Sequence, residues 1–117
     1  MTGRMNKYLL DRQSGVVPTF LGVGTETSGD NTLVLGHYRM RIRVYSLALY
    51  SADGVVVYFR SGAGGTAITG SLDMNPHGEL VMPHSATGWF ETEEGESLEL
   101  NLSAAVYVGG CLVYGYV

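Results

Sequence analysis

Lysine and arginine are missing from the second half of this chain. All seven basic residues (Arg4, Lys7, Arg12, Arg39, Arg41, Arg43 and Arg60) precede residue 61, against four acids there, and residues 61–117 hold seven acids and no base. So few bases under a net charge of −4 make a poor phosphate-binding surface, which argues against nucleic acid as a partner. Cysteine occurs once, at Cys111, so no intrachain disulfide can form and a cysteine-based zinc site is excluded. Two good helix formers are nearly absent, with Lys7 and Gln13 the sole representatives of their types. No apolar run approaches a membrane span, and the leading MTGRMNKYLLDRQ lacks the apolar stretch of a signal peptide. The expectation is folding in a reducing cytoplasm, with no membrane partner.

What the chain does have favours strands. Of 117 residues, 17 are glycine and eight tyrosine, and Val, Leu and Thr are frequent. With 45% hydrophobic and 15% charged residues, it is too apolar for a disordered chain and long enough for one core. Residues 1–13 read as a polar N-terminal arm around the apolar cluster Tyr8-Leu9-Leu10, and residues 14–117 as one domain.

Within that domain the strand signals come at short intervals. Phe20–Val23 reads as a first strand, residues 26–31 (ETSGDN) as a loop, and Thr32–Leu35 as a second strand. Across Tyr38–Tyr50, Met40, Ile42 and Val44 alternate with Arg39, Arg41 and Arg43, the period of a strand with one dry face. The apolar set resumes at Leu47 and Leu49 one position out of phase, so a β-bulge is expected near Tyr45-Ser46. Asp53-Gly54 signals a hairpin into the β-branched run Val55–Phe59. Turns are expected at residues 61–65 and 75–78, and strands at Thr66–Leu72, Glu79–Met82 and Trp89-Phe90. Leu98, Leu100 and Leu102 are placed inward, with Glu99 and Asn101 outward. Val106–Val108 and Cys111–Val117 flank Gly109-Gly110 and complete eight or nine strands without a helix. The reading is an all-β, single antiparallel sandwich, jelly-roll-like or a small Greek key, with an extended N-terminal arm.

Reactive constellations are scarce. His37, His77 and His84 lie singly, without the spacing of a metal site, and no cofactor is expected. Residues 61–66 (SGAGGT) lack the lysine and following helix of a phosphate loop. Glu91, Glu93, Glu94, Glu96 and Glu99 crowd one turn and its flanks, which reads as a solvated acidic loop or a weak cation site. Cys111 is expected inside with Val113 or at the rim. Eight tyrosines exceed what a small core can satisfy, so several belong at edges or interfaces. The charge asymmetry reads either as solvated faces or as complementary patches suited to docking between copies.

From Val57 onward the chain resembles a β-sandwich module of tailed-phage virion proteins. The resemblance is carried by Phe59-Arg60-Ser61-Gly62, Thr66–Gly70, Leu80–Pro83, Gly88–Thr92, Gly95–Ser103 and Gly110–Tyr114, about half the chain. It implies a capsid decoration (cement) subunit, often trimeric, that binds the major capsid protein on the outside of the head and catalyses nothing. On that reading Arg4, Lys7, Tyr8, Leu9, Leu10 and Arg12 of the arm contact the capsid, with Arg39, Arg41 and Arg43 a second patch. The alternative is a tail- or fibre-associated module that binds receptor glycans through exposed aromatic rings.

Overall fold

A computed structural model of the chain describes residues 17–117. Ten strands account for its regular structure, two of them only two residues long: β1 (Thr19–Thr25), β2 (Gly29–Val34), β3 (Ile42–Ser51), β4 (Val55–Ser61), β5 (Thr66–Ala67), β6 (Leu72–Met74), β7 (Glu79–Met82), β8 (Phe90–Glu91), β9 (Leu98–Leu102) and β10 (Val108–Tyr116). They form two antiparallel sheets. The first runs β1-β10-β3-β7, with β8 also on β3; the second runs β2-β9-β4-β5, with β6 also on β4. The described residues are thus an all-β sandwich. Its first and last strands pair in one sheet, and the strands just inside them pair in the other, which is the jelly-roll order.

Period-two burial drives this arrangement. Leu98, Leu100 and Leu102 on β9 meet Val55, Val57 and Phe59 on β4 and Val34 on β2 from the second sheet. Ile42, Val44, Leu47 and Leu49 of β3, with Val23, Val108 and Leu112, close the core from the first. Phe59 and Phe90 touch across the two sheets, with ring centroids 4.7 Å apart. The phase slip in β3 is a bulge at Tyr45: Val113 pairs with Ser46 and Tyr114 with Val44, leaving Tyr45 opposite nothing. Val44 and Tyr45 are both buried as a result, which restores Leu47 and Leu49 to the core side.

Several expectations need correction. Asp53-Gly54 is a turn but not a hairpin, because β3 and β4 lie in different sheets. The turn at 75–78 likewise carries the chain from β6 across to β7. The strand expected over 38–50 starts only at Ile42, since Arg39 sits in a turn with φ 58°. Thr66–Leu72 is two short strands, broken where Ile68 and Thr69 donate their N–H groups to Phe59 O. Residues 29–31, read as loop, begin β2. Gly109-Gly110 does not interrupt β10, and Cys111 is exposed on its outer side. Trp89 precedes β8 and stays 47% exposed, so Phe90 alone anchors that strand.

Candidate functional site

Neighbouring strands of the first sheet pair antiparallel, so residues directly opposite one another share a face. On the outer face three rows follow: Phe20, Val113 and Ser46; Gly22, Cys111, Ala48 and Val81; Gly24, Gly109, Tyr50 and Glu79. Phe20 is 84% exposed and Val81 63%. Glu79, at one corner, is the only carboxylate in these rows, and no lysine or arginine occurs in them. Tyr107 lies over Gly24 and Gly109, where an added Cβ would come 3.2 and 2.7 Å from its hydroxyl. These three rows are largely apolar, and the next row on the same face carries the charged pair Arg43 and Glu91 beside Gly115. The alternation in Phe20–Gly24 carried part of this signal; the outward turn of Cys111 was hidden by the glycines before it.

The expected arginine patch is largely engaged within the chain. Arg43 faces Glu91 across the β3–β8 ladder, with Nη2 2.7 Å from Oε1 and Nε donating to the same oxygen at 2.9 Å. Arg41 lies 3.5 Å from Glu93 and 3.8 Å from Glu91. Bases of the first half therefore meet acids of the second inside one molecule. Arg39 is exposed, with its guanidinium 5.1 Å from the Tyr38 ring centroid. The arm residues Arg4, Lys7, Tyr8, Leu9, Leu10 and Arg12 lie outside the described residues.

The outer face of the second sheet is a polar network. Asp30 accepts from Arg60 Nη1 at 3.0 Å, Asn101 Nδ2 at 2.8 Å and the Gly64 N–H at 2.7 Å. Glu99, expected in solvent, is only 1% exposed. Thr32 and Ser97 hydroxyls donate to the Glu99 carboxylate at 2.8 and 2.6 Å. Burial pushes the Asp30 carboxyl up, but its three hydrogen bonds and the Arg60 charge outweigh that and hold it below 3.8. A lowered folded-state value contributes stability above the unfolded-state value, and that contribution is lost as pH falls through the folded value. The stability gap between wild type and Asp30→Asn should therefore be full near neutrality and narrow below about pH 4. Thermal melts in a pH series check this; a constant gap down to about pH 2.5 contradicts it.

The histidines are dispersed, each against a different tyrosine: His37 with Tyr116, His84 with Tyr45, and His77 with Tyr50, whose hydroxyl lies 2.7 Å from Nδ1. Among the described residues no three metal-ligating side chains gather. The acidic turn is partly tied down, since Ser61 Oγ donates to Glu96 at 3.1 Å and accepts the Glu93 N–H at 2.8 Å. An open cleft of about 270 Å³ separates β6 from β7, floored by Leu72, Met74 and Leu80 and bordered by Asp73 and Glu79. Comparison with protein families, curated proteins and solved structures finds no match to this chain.

Proposed function

We propose that this chain is a non-enzymatic structural subunit of a virion, a capsid decoration protein that seats as a trimer on the assembled head of a tailed phage. The observation that carries the reading is the largely apolar stretch of the first sheet's outer face from Phe20 to Val81. Contiguous exposed apolar surface on a rigid sandwich is suited to adhesion. The jelly-roll order occurs in viral capsid domains, a fold-level analogy in support of the same reading. The major capsid protein is the proposed partner, contacted by Arg4, Lys7, Tyr8, Leu9, Leu10 and Arg12 of the arm and by the exposed Arg39. Contacts available only on the assembled shell stabilise it by mass action. The protein is made in the host cytoplasm and ends on the capsid exterior.

The test mixes the purified chain with undecorated heads of its phage. Saturable co-sedimentation and a higher temperature of shell disruption are expected; no binding overturns the reading. Jelly rolls also serve as lectin domains, and the half-exposed Trp89 ring favours glycan stacking as the second reading. Glycan-array binding without shell binding would replace the first reading by the second.

A further inference from the structure

We infer that β1 is an adhesive sheet edge, on which a second copy of this chain adds its own β1, antiparallel, about a two-fold axis at Gly22. The inference goes beyond the decoration reading and does not rest on it. The first observation is what each edge carries. An edge strand presents a row of unpaired N–H and C=O groups, which charge, proline or shortness ordinarily guards. Here β2, β6, β7 and β8 each hold a carboxylate, at Asp30, Asp73, Glu79 and Glu91, and β5 is two residues long. Among the described edge strands only β1 is long, uncharged and free of proline. Residues 17–117 carry four arginines and ten carboxylates, so two copies repel wherever acidic edges meet. At β1 that repulsion has no local source.

The second observation names the occupant. The sequence of β1, TFLGVGT, reads alike in both directions from Gly22. Set antiparallel on a second copy, Thr19 falls opposite Thr25, Phe20 opposite Gly24, Leu21 opposite Val23, and Gly22 opposite itself. Threonines directly opposed pair through their hydroxyls, and Leu21 with Val23 carries the core side from one copy into the next. Phe20 is 84% exposed, and its ring would cover Gly24 of the second copy, beside the Tyr107 ring already lying there. Gly22 also gains a reason. Its φ is not positive and a Cβ there meets no described atom within 4 Å, so the single chain does not call for glycine. On the axis any side chain would meet its own copy, and glycine admits the second backbone. Moving the axis to Leu21 or Val23 would leave two of the seven residues outside the ladder.

One strand edge is a small contact, below the standard interface size, so the pairing is weak and reversible in dilute solution. Copies held close on one particle would gain it through effective concentration. A two-fold contact cannot close a three-fold ring; on the decoration reading it joins neighbouring trimers.

The experiment uses the full chain carrying Cys111→Ser, because Gly22 lies opposite Cys111 and a thiol at position 22 would otherwise be captured there. Opposed residues of antiparallel strands have Cα atoms about 4.5–5.5 Å apart, within disulfide reach. Gly22→Cys should therefore give a two-chain band on non-reducing gels after mild oxidation, about tenfold stronger than Gly70→Cys gives. Gly70 is the matched control, since a Cβ there also meets nothing within 4 Å and its φ is not positive, but it lies outside β1. Adding Phe20→Lys guards the edge with a charge and should bring the band down to the control level, with a β-type circular-dichroism spectrum retained. Equal bands from Gly22→Cys and Gly70→Cys, or a band indifferent to Phe20→Lys, would overturn the inference. Slow amide exchange along the outer edge of β1 without cross-linking would assign that edge to another segment, and overturn it too. Head binding by a chain that never cross-links would leave the decoration reading intact, while cross-linking without affinity for heads would do the reverse.

Discussion

Gly110→Ala is expected to destabilise the domain by about 2–4 kcal/mol, from a φ unsuited to L-residues and a backbone clash. Gly110 has φ 146°, and a Cβ there would sit 1.8 Å from Ala48 O and 3.0 Å from Leu49 Cα. The contact is with backbone of the central strand β3, so no side chain can rotate away to relieve it. Either β3 or β10 must shift, and these two strands pair over nine positions, Val108 to Tyr116. A domain of this size loses about 4–8 °C per kcal/mol, so its melting temperature should fall by about 8–32 °C. Gly22→Ala serves as the contrast, since its Cβ meets nothing and its φ is ordinary. A melting temperature for Gly110→Ala within a few degrees of wild type would show that β10 takes another path.

Phe59→Ala should cost about 3–5 kcal/mol, the transfer term of the lost ring plus a cavity that its neighbours fill only in part. Phe59 is fully buried on β4, where Leu100 lies directly opposite on β9 and Phe90 reaches it from the other sheet. Domains of this size have about 5–15 kcal/mol in total, so the loss is a large fraction of their stability. Urea unfolding would show it as a lower midpoint at an unchanged slope. Phe59→Leu, which refills most of the volume, should recover more than half of the loss. Equal stability of the alanine and wild-type proteins would mean that the two sheets do not meet at this ring.

Sequence periodicity made the core legible wherever a strand has one dry face. The β9 leucines and the phase change at Tyr45 could both be read because each inward position in a strand constrains the next. Partner choice between strands was not legible. Asp53-Gly54 signals reversal of direction equally well for a hairpin and for a crossing between sheets, and only the competing pairing of β3 with β10 and of β4 with β9 decides it. Glu99 shows the same limit for polarity. Alternation turned it to the outer face correctly, but its neighbours there, Arg60 opposite on β4 and the hydroxyls of Thr32 and Ser97, come from other parts of the chain. The largely apolar rows of the first sheet's outer face were legible only in pieces, because their members come from four strands far apart in the chain.

That β1 pairs with β10 has a consequence for how the molecule is made. Thr19 finds its partner at Tyr114, so β1 waits on the ribosome until Tyr114 has emerged. Such distant closures are slow and leave apolar segments open meanwhile. The seven residues of β1 contain no charge or proline to discourage stray pairing during that interval. A chain cut before β10 would leave β1 without its partner and its apolar residues open to stray pairing.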